Sequence, residues 1–393
     1  MCVELLIYLI LFLLVLIVSS TTNKLLPFLP LPLVQILLGI VIGLFLPNTD
    51  FHLNTELFLA LVIGPLLFRE SEEADITAIL KHWRIIVYLI FPVIFISTLS
   101  LGGLAHLLWL SLPLAACLAV GAALGPTDLV AFASLSERFS FPKRVSNILK
   151  GEGLLNDASG LVAFQVALTA WTTGAFSLGQ ASSSLIFSIL GGFLIGFLTA
   201  MTNRFLHSFL LSVRATDIAS ELLLELSLPL VTFFLAEEVH VSGIIAVVVA
   251  GILKASRFKK ITLLEAQVDT VTETVWHTVN FMLNGSVFVV LGMELEMIAE
   301  PILTNPIYNP LLLLGSLIAL TFVLFAIRFV MIYGYYAYRT RRLKKKLNKY
   351  MKDMLLLTFS GVKGTVSIAT ILLIPSNLEQ EYPLLLFLVA GVT

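Results

Sequence analysis

Gly125-Pro126-Thr127-Asp128, then a basic loop, then Lys150-Gly151-Glu152-Gly153-Leu154-Leu155-Asn156-Asp157-Ala158-Ser159-Gly160: this stretch decides how the chain is read. Both ends of the segment from Gly125 to Ala163 lie inside long apolar runs. Three carboxylates, Asp128, Glu152 and Asp157, therefore fall at membrane depth. A charge at the centre of a bilayer costs roughly 2.5–3.5 kcal/mol on insertion scales. Such residues face a bundle interior or a water-filled path and mark ion or proton routes.

The surrounding chain supports that depth. It is 58% hydrophobic and 12% charged, with mean hydropathy +1.00, against about 25% charged residues in a soluble domain. Apolar runs long enough to span a bilayer recur from end to end, and the ~10-residue alternating segments of a β-barrel do not. The expected fold is an all-α polytopic membrane protein of about 13 spans. They lie near 3–20, 27–46, 53–70, 84–107, 112–136, 144–171, 182–203, 217–237, 241–256, 275–298, 310–336, 354–374 and 383–393. The first run lacks a basic flank and carries Glu4, which reads as a span rather than a cleaved signal. The last is too short to cross ~30 Å of hydrocarbon, as expected of a truncated span. Cys2 and Cys117 lie in different runs and suggest neither a disulfide framework nor a metal site.

Charge placement gives the topology. Alternate loops hold 21 of the 24 Lys and Arg, and the opposite set holds none. Lys and Arg mark cytoplasmic loops, so the N-terminus is expected outside a cell membrane. The run Arg339–Lys352 reads as a solvated loop meeting anionic lipid, not as a nucleic-acid site. Arg69, Arg328 and Lys363 are left within or at the end of spans.

Spans five and twelve are interrupted in mid-membrane, by Gly125-Pro126-Thr127-Asp128 and by Gly361-Val362-Lys363-Gly364. Pro126 removes a backbone donor and clashes with the preceding turn. Broken helices are tolerated at depth where they line a cavity or lie in protein. Seven spans apart, the two cross in opposite directions, which points to inverted repeats. One transmembrane domain, 1–393, would hold repeats of about 1–171 and 217–393, linked by 182–203.

Asp157 lies about 20 Å along span six from Arg144, near mid-membrane, at a depth compatible with Asp128. Glu152 and Asp157, five residues apart, stand about 140° apart on a helix. Asp157 is therefore the expected cation- or proton-carrying group. Glu152 is the expected structural partner of Lys363, with Arg328 a further buried pairing residue. Asp128 is expected to cap a half-helix, its own or that of span twelve, and Thr127 to offer a hard oxygen donor. Arg69-Glu70 at the end of span three suits a site or a solvated helix end equally. The six histidines form no metal spacing, and no P-loop or nucleophile elbow is present.

These residues resemble the monovalent cation:proton antiporters, in particular the bacterial NhaP-type sodium/proton exchangers. Gly-Pro-Thr-Asp at 125–128 is similar to that family's Thr-Asp-Pro segment, with Leu129 for the Pro. Gly151-Glu152-Gly153-Leu-Leu-Asn156-Asp157 is similar to Gly-Glu-Ser-Leu-Leu-Asn-Asp, with Gly153 for the Ser. Gly361-Val-Lys363-Gly364 is similar to Gly-x-Arg-Gly, and segments from Val241 and Asn284 fit as well. The resemblance implies a homodimer, with Asp157 and Thr127 as sodium ligands and an acidic ligand from span three, where Glu70 stands one step beyond the matching Arg69. It maps a Glu–Arg structural bridge onto Glu152–Lys363. Asn156 beside Asp157 leaves one titrating group, which implies electroneutral exchange of a cation for a proton by alternating access, with no cofactor and no enzymatic activity. The rivals are a cation channel, an intramembrane enzyme and an organic-anion transporter using Lys363 or Arg328.

Overall fold

The structure, a computed structural model, describes residues 2–26, 29–45, 55–128, 132, 141–173, 178–213, 217–255, 263–303, 308–342, 344, 347–361, 364, 367, 370, 374 and 383–392. Every regular element among them is a helix. Five helical segments are long and apolar enough to cross a membrane: Trp83–Leu108, Ile186–Ser212, Ile218–Glu238, Thr270–Leu295 and Pro310–Arg342. Shorter apolar helices include Leu31–Leu44, Leu114–Ala123, Gly243–Ala255 and Pro383–Val392.

The contacts divide the chain into two compact units. One comprises Met1–Asp50, Thr77–Phe176 and Val287–Thr393; the other comprises Phe51–Ile76 and Ser177–Ser286.

The first unit is built on close backbone approach. Lipid tails are as apolar as Leu, so helices in a bilayer associate through packing at small residues. Ala116, Ala119, Ala122 and Ala123 of Leu114–Ala123 are buried, as is Gly121 between them. A Cβ at Gly121 would collide with the Thr98 carbonyl, and one at Gly102 would press on Leu118 and Cys117. Gly39 and Gly292 make a similar backbone crossing elsewhere in the unit. Pro92 sits within the long Trp83–Leu108 segment at a π-helical turn, Leu89–Val93. That turn accommodates a residue with no N–H and a ring that crowds the preceding turn.

Both interruptions expected from the sequence are present in this unit. Leu114–Ala123 ends with Leu124 as its C-cap, and 125–128 are non-helical. Met351–Phe359 ends at Ser360, with Gly361 and Gly364 non-helical. The helix Lys143–Thr173 runs past the first break without interruption. A Cβ at Gly160 would enter the Pro126 ring, so the missing side chain is what lets this helix seat the break.

In the second unit, Gly191, Gly192 and Gly196 of Leu178–Ser212 lie against Val241, Ser242 and Ala246 of the neighbouring segment. Gly251 lies against the Phe68 carbonyl and Ser71. Asp217 caps Ile218–Glu238 through a reciprocal box with Ser220, and those hydrogen bonds hold its exposed carboxyl below the usual range.

The glycine seat at Pro126 is testable. Gly160→Leu overpacks it at a cost of about 1–3 kcal/mol, so thermal unfolding in detergent comes several degrees earlier. Gly103→Ala, in a helix interior where a Cβ meets open space, brings unfolding no earlier, since Ala favours a helix over Gly. Coincident transitions for Gly160→Leu and the parent would remove the seat from the account.

Candidate functional site

The site begins at the first break. Gly160 brings the Lys143–Thr173 helix against Pro126, and Asn156, one turn earlier on the same helix, reaches the next residue of the break. Its Nδ2 donates to the Thr127 hydroxyl at 2.6 Å. Asn156 is fully buried and Thr127 is nearly so. The Asn156 side-chain oxygen, Oδ1, has no hydrogen-bond partner among the described residues, while its backbone carbonyl accepts from the Ser159 hydroxyl at 2.8 Å. A buried acceptor left unmatched costs about 1–3 kcal/mol, so the pair presents a buried oxygen with capacity to spare.

Asp128, also buried, is the next residue of the break. Its backbone carbonyl accepts from the Phe132 amide at 3.2 Å, as the carbonyl of an N-cap residue does. Its carboxylate lies against Gly364, where a Cβ would strike it. The Gly364 carbonyl in turn accepts from the Ser367 amide. The two interruptions therefore meet through a carboxylate on one segment and a bare Cα on the other. Asp157 follows Asn156 within the Lys143–Thr173 helix; its side chain lies outside the described residues.

Glu152, for which Lys363 was the expected partner, pairs among the described residues with Arg328. Nη1 and Nη2 of the guanidinium donate to the two carboxylate oxygens at 2.6 and 2.8 Å, and Nε donates to the Leu357 carbonyl at 3.0 Å. Glu152 is 1% and Arg328 4% exposed, so neither charge has water to fall back on. The physical reason for Arg328 lies in its shape. A planar fork satisfies both carboxylate oxygens at once, whereas an ammonium is a point charge. Lys363 lies outside the described residues. Gly361 supplies the space, since a Cβ there would strike the guanidinium. The signal was in the sequence: Arg328 stands in mid-span eleven, and the glycine that clears room for it opens the Gly-Val-Lys-Gly motif. With Arg328 engaged on three sides, it is not free to hold a substrate anion.

The end of span three also proves to be paired. Arg69 contacts Glu72 at 2.9 Å and Glu73 at 2.7 Å and lies over the Trp276 ring. Lys254 bridges Glu225 at 2.8 Å and Glu72 at 3.4 Å, and Trp276 Nε1 donates to Glu225. Glu70 is half-buried on the same helix, Gly64–Glu73, in the second unit. The sequence reading missed Lys254, Glu225 and Trp276. No local pattern joins residues so far apart in the chain. Among the described residues no cluster of His, Cys, Asp and Glu could hold a metal ion.

Comparison with known proteins bears on these observations. The family model described as the transmembrane sodium/hydrogen exchanger matches residues 9–393. A "Sodium, potassium, lithium and rubidium/H(+) antiporter" of Bacillus subtilis is 35% identical, over 95% of this chain and 57% of its own length. An uncharacterized Na(+)/H(+) exchanger of Escherichia coli, YjcE, is 31% identical, over 95% of this chain and 71% of its own. The chain thus spans little more than half the length of the Bacillus relative. The solved structure of the sodium proton antiporter MjNhaP1 from Methanocaldococcus jannaschii shares the fold, with a TM-score of 0.69 at 20% identity, covering 99% of this chain and 92% of that one.

Breaking the buried pair should be costly, and removing both partners much less so. Arg328→Gln and Glu152→Gln each lose about 3–5 kcal/mol, because a buried charge is left unmatched. The double variant recovers most of that loss in chemical unfolding. Additive losses in the double-mutant cycle would contradict the pairing.

Proposed function

The chain belongs to the transmembrane sodium/hydrogen exchanger family, and we propose that it exchanges a monovalent cation, sodium first, for protons across the cell membrane by alternating access. The observation that carries the proposal is the buried polar pair at the first break, Thr127 bonded to Asn156, with the Asn156 side-chain oxygen unmatched among the described residues. Asp157 follows it in the helix, and Asp128 lies in the same break.

Asp157 is the exchanging carboxylate in this reading. It holds a proton or a cation, never both, and that competition couples the two flows. Thr127 and the Asn156 amide supply neutral oxygen around the cation. Neutral ligands matter here, because a hard monovalent ion gives up its water only to oxygens already in place, and extra fixed charge would hold it too firmly to leave. Asp128 stays a capping group at the meeting of the breaks. The Glu152–Arg328 pair is closed and takes no part in exchange, which disfavours the organic-anion rival. The Bacillus relative's name gives sodium, potassium, lithium and rubidium as its cations, and we extend that series to this chain as substrates. The inverted repeats, the cytoplasmic placement of the basic loops and a homodimeric assembly belong to the same proposal.

One titrating group per site makes the cycle electroneutral, one proton for one cation. Such a cycle is indifferent to the ~2.3 kcal/mol that 100 mV exerts on each moved charge. In proteoliposomes carrying a pH-sensitive dye, sodium should drive proton movement, Asp157→Asn should abolish it, and an imposed potential should leave the rate unchanged. Exchange surviving in Asp157→Asn would remove that residue from the mechanism. Sodium flux without proton movement would favour the channel reading, and a current would rule out electroneutrality.

A further inference from the structure

Ser159 stands two residues beyond Asp157 and one before Gly160, on the helix Lys143–Thr173. Its hydroxyl donates to the Asn156 carbonyl, one turn back, at 2.8 Å. Hydroxyls in helices commonly bond back to their own preceding turn, as Ser316 does to Leu313. Ser159 does more. Its oxygen also lies 3.4 Å from the Ile90 carbonyl, on the neighbouring segment Trp83–Leu108. One hydroxyl proton therefore serves two carbonyls on two helices.

Pro92 is the reason the Ile90 carbonyl takes a donor from outside. In a regular helix the amide four residues on, that of Ile94, would bond it. Pro92 has no amide and its ring crowds the preceding turn, and the turn Leu89–Val93 is wound as a π-helix. The Ile94 amide donates instead to the Phe91 carbonyl. Ile90 is buried, and a buried carbonyl needs a donor. Single π-turns are frequent at functional sites. This one abuts the first break, since a Cβ at Gly125 would press on the Ile94 side chain. The π-turn thus touches the break through Ile94 and the Asn156–Asp157 turn through Ser159.

We propose that Ser159 is a positioning residue for cation binding. Its hydroxyl fixes the Asn156–Asp157 turn against the π-turn, and so holds the Asn156 amide opposite Thr127 as a cation requires. That role rests on the reading of Asp157 as the exchanging carboxylate. A cation needs several oxygens placed in advance, whereas a proton needs only the carboxylate. Loss of the hydroxyl therefore weakens cation binding and spares proton binding. Competition at one carboxylate gives the effect its sign. With the cation a weaker competitor, fewer protons displace it, so at fixed sodium the acid limb of exchange moves to higher pH.

The test is sodium-driven proton movement in proteoliposomes, read as half-saturating sodium, maximal rate and pH profile, for Ser159→Ala, Ser159→Thr and Asp157→Asn. Ser159→Ala should raise half-saturating sodium about fivefold, the worth of one hydrogen bond. Its maximal rate should change less, and its acid limb should move to higher pH. Ser159→Thr, which keeps the hydroxyl, should restore half-saturating sodium and the pH profile. A lower maximal rate in Ser159→Ala, with the other two readings unchanged, overturns the proposal, since the hydroxyl then serves stability alone. Ser159→Thr as impaired as Ser159→Ala also overturns it, since side-chain volume and not the hydroxyl then matters. Where Ser159→Ala elutes as aggregate, Ser159→Cys, with a weaker donor, is read by the same criteria. Exchange that survives in Asp157→Asn overturns the reading beneath the proposal. Ser159→Ala indistinguishable from the parent, beside an inactive Asp157→Asn, overturns the proposal alone.

Discussion

A charge carried into hydrocarbon must be matched, and here the Glu152–Arg328 pair does the matching. Its two forked bonds join Lys143–Thr173 to Pro310–Arg342. The third guanidinium bond, to Leu357, ties in the last turn before the second break. Three helices that meet the broken segments are thereby fixed by one guanidinium. Net stabilisation is not what such a pair must supply, since desolvation offsets much of the Coulomb energy. Its effect is on register: the Lys143 helix cannot slide or rotate without exposing a buried carboxylate. That register is what sets Asn156 opposite Thr127.

Glycine does the complementary work. The first break is seated because Gly160 has no side chain to fend off Pro126, and the second approaches the first because Gly364 has none to fend off Asp128. Gly361 is bare where the guanidinium passes. The polar groups at this depth are thus brought together by absences in the sequence as much as by the polar residues themselves. Small residues are what helix association in lipid requires, and here they also bring buried polar groups together.

The helical architecture and the two interruptions were legible in the sequence because their causes are local. Apolar length gives a span, and Pro126 and the paired glycines give the breaks. The 140° separation of Glu152 from Asp157 was also local, fixed by helical pitch. Partnership was not. Glu152 had two cations at membrane depth to choose from in the sequence, Lys363 and Arg328, and that Arg328 meets it depends on helix packing, which no periodicity records. The Arg69–Glu72–Lys254–Glu225–Trp276 network escaped for the same reason: its members come from four separate helices. Gly361 was read as part of a break, and its second role, clearing room for Arg328, became visible only once the partner was placed.

At the centre of the account is one carboxylate that holds either a proton or a cation. Proton release on cation binding measures this directly, without transport or a membrane. Purified protein in weakly buffered detergent, titrated with sodium chloride near the midpoint of activity, should release about one proton per cation bound, with choline chloride releasing none and Asp157→Asn releasing none. Sodium binding that releases no proton, or release that persists in Asp157→Asn, would contradict it.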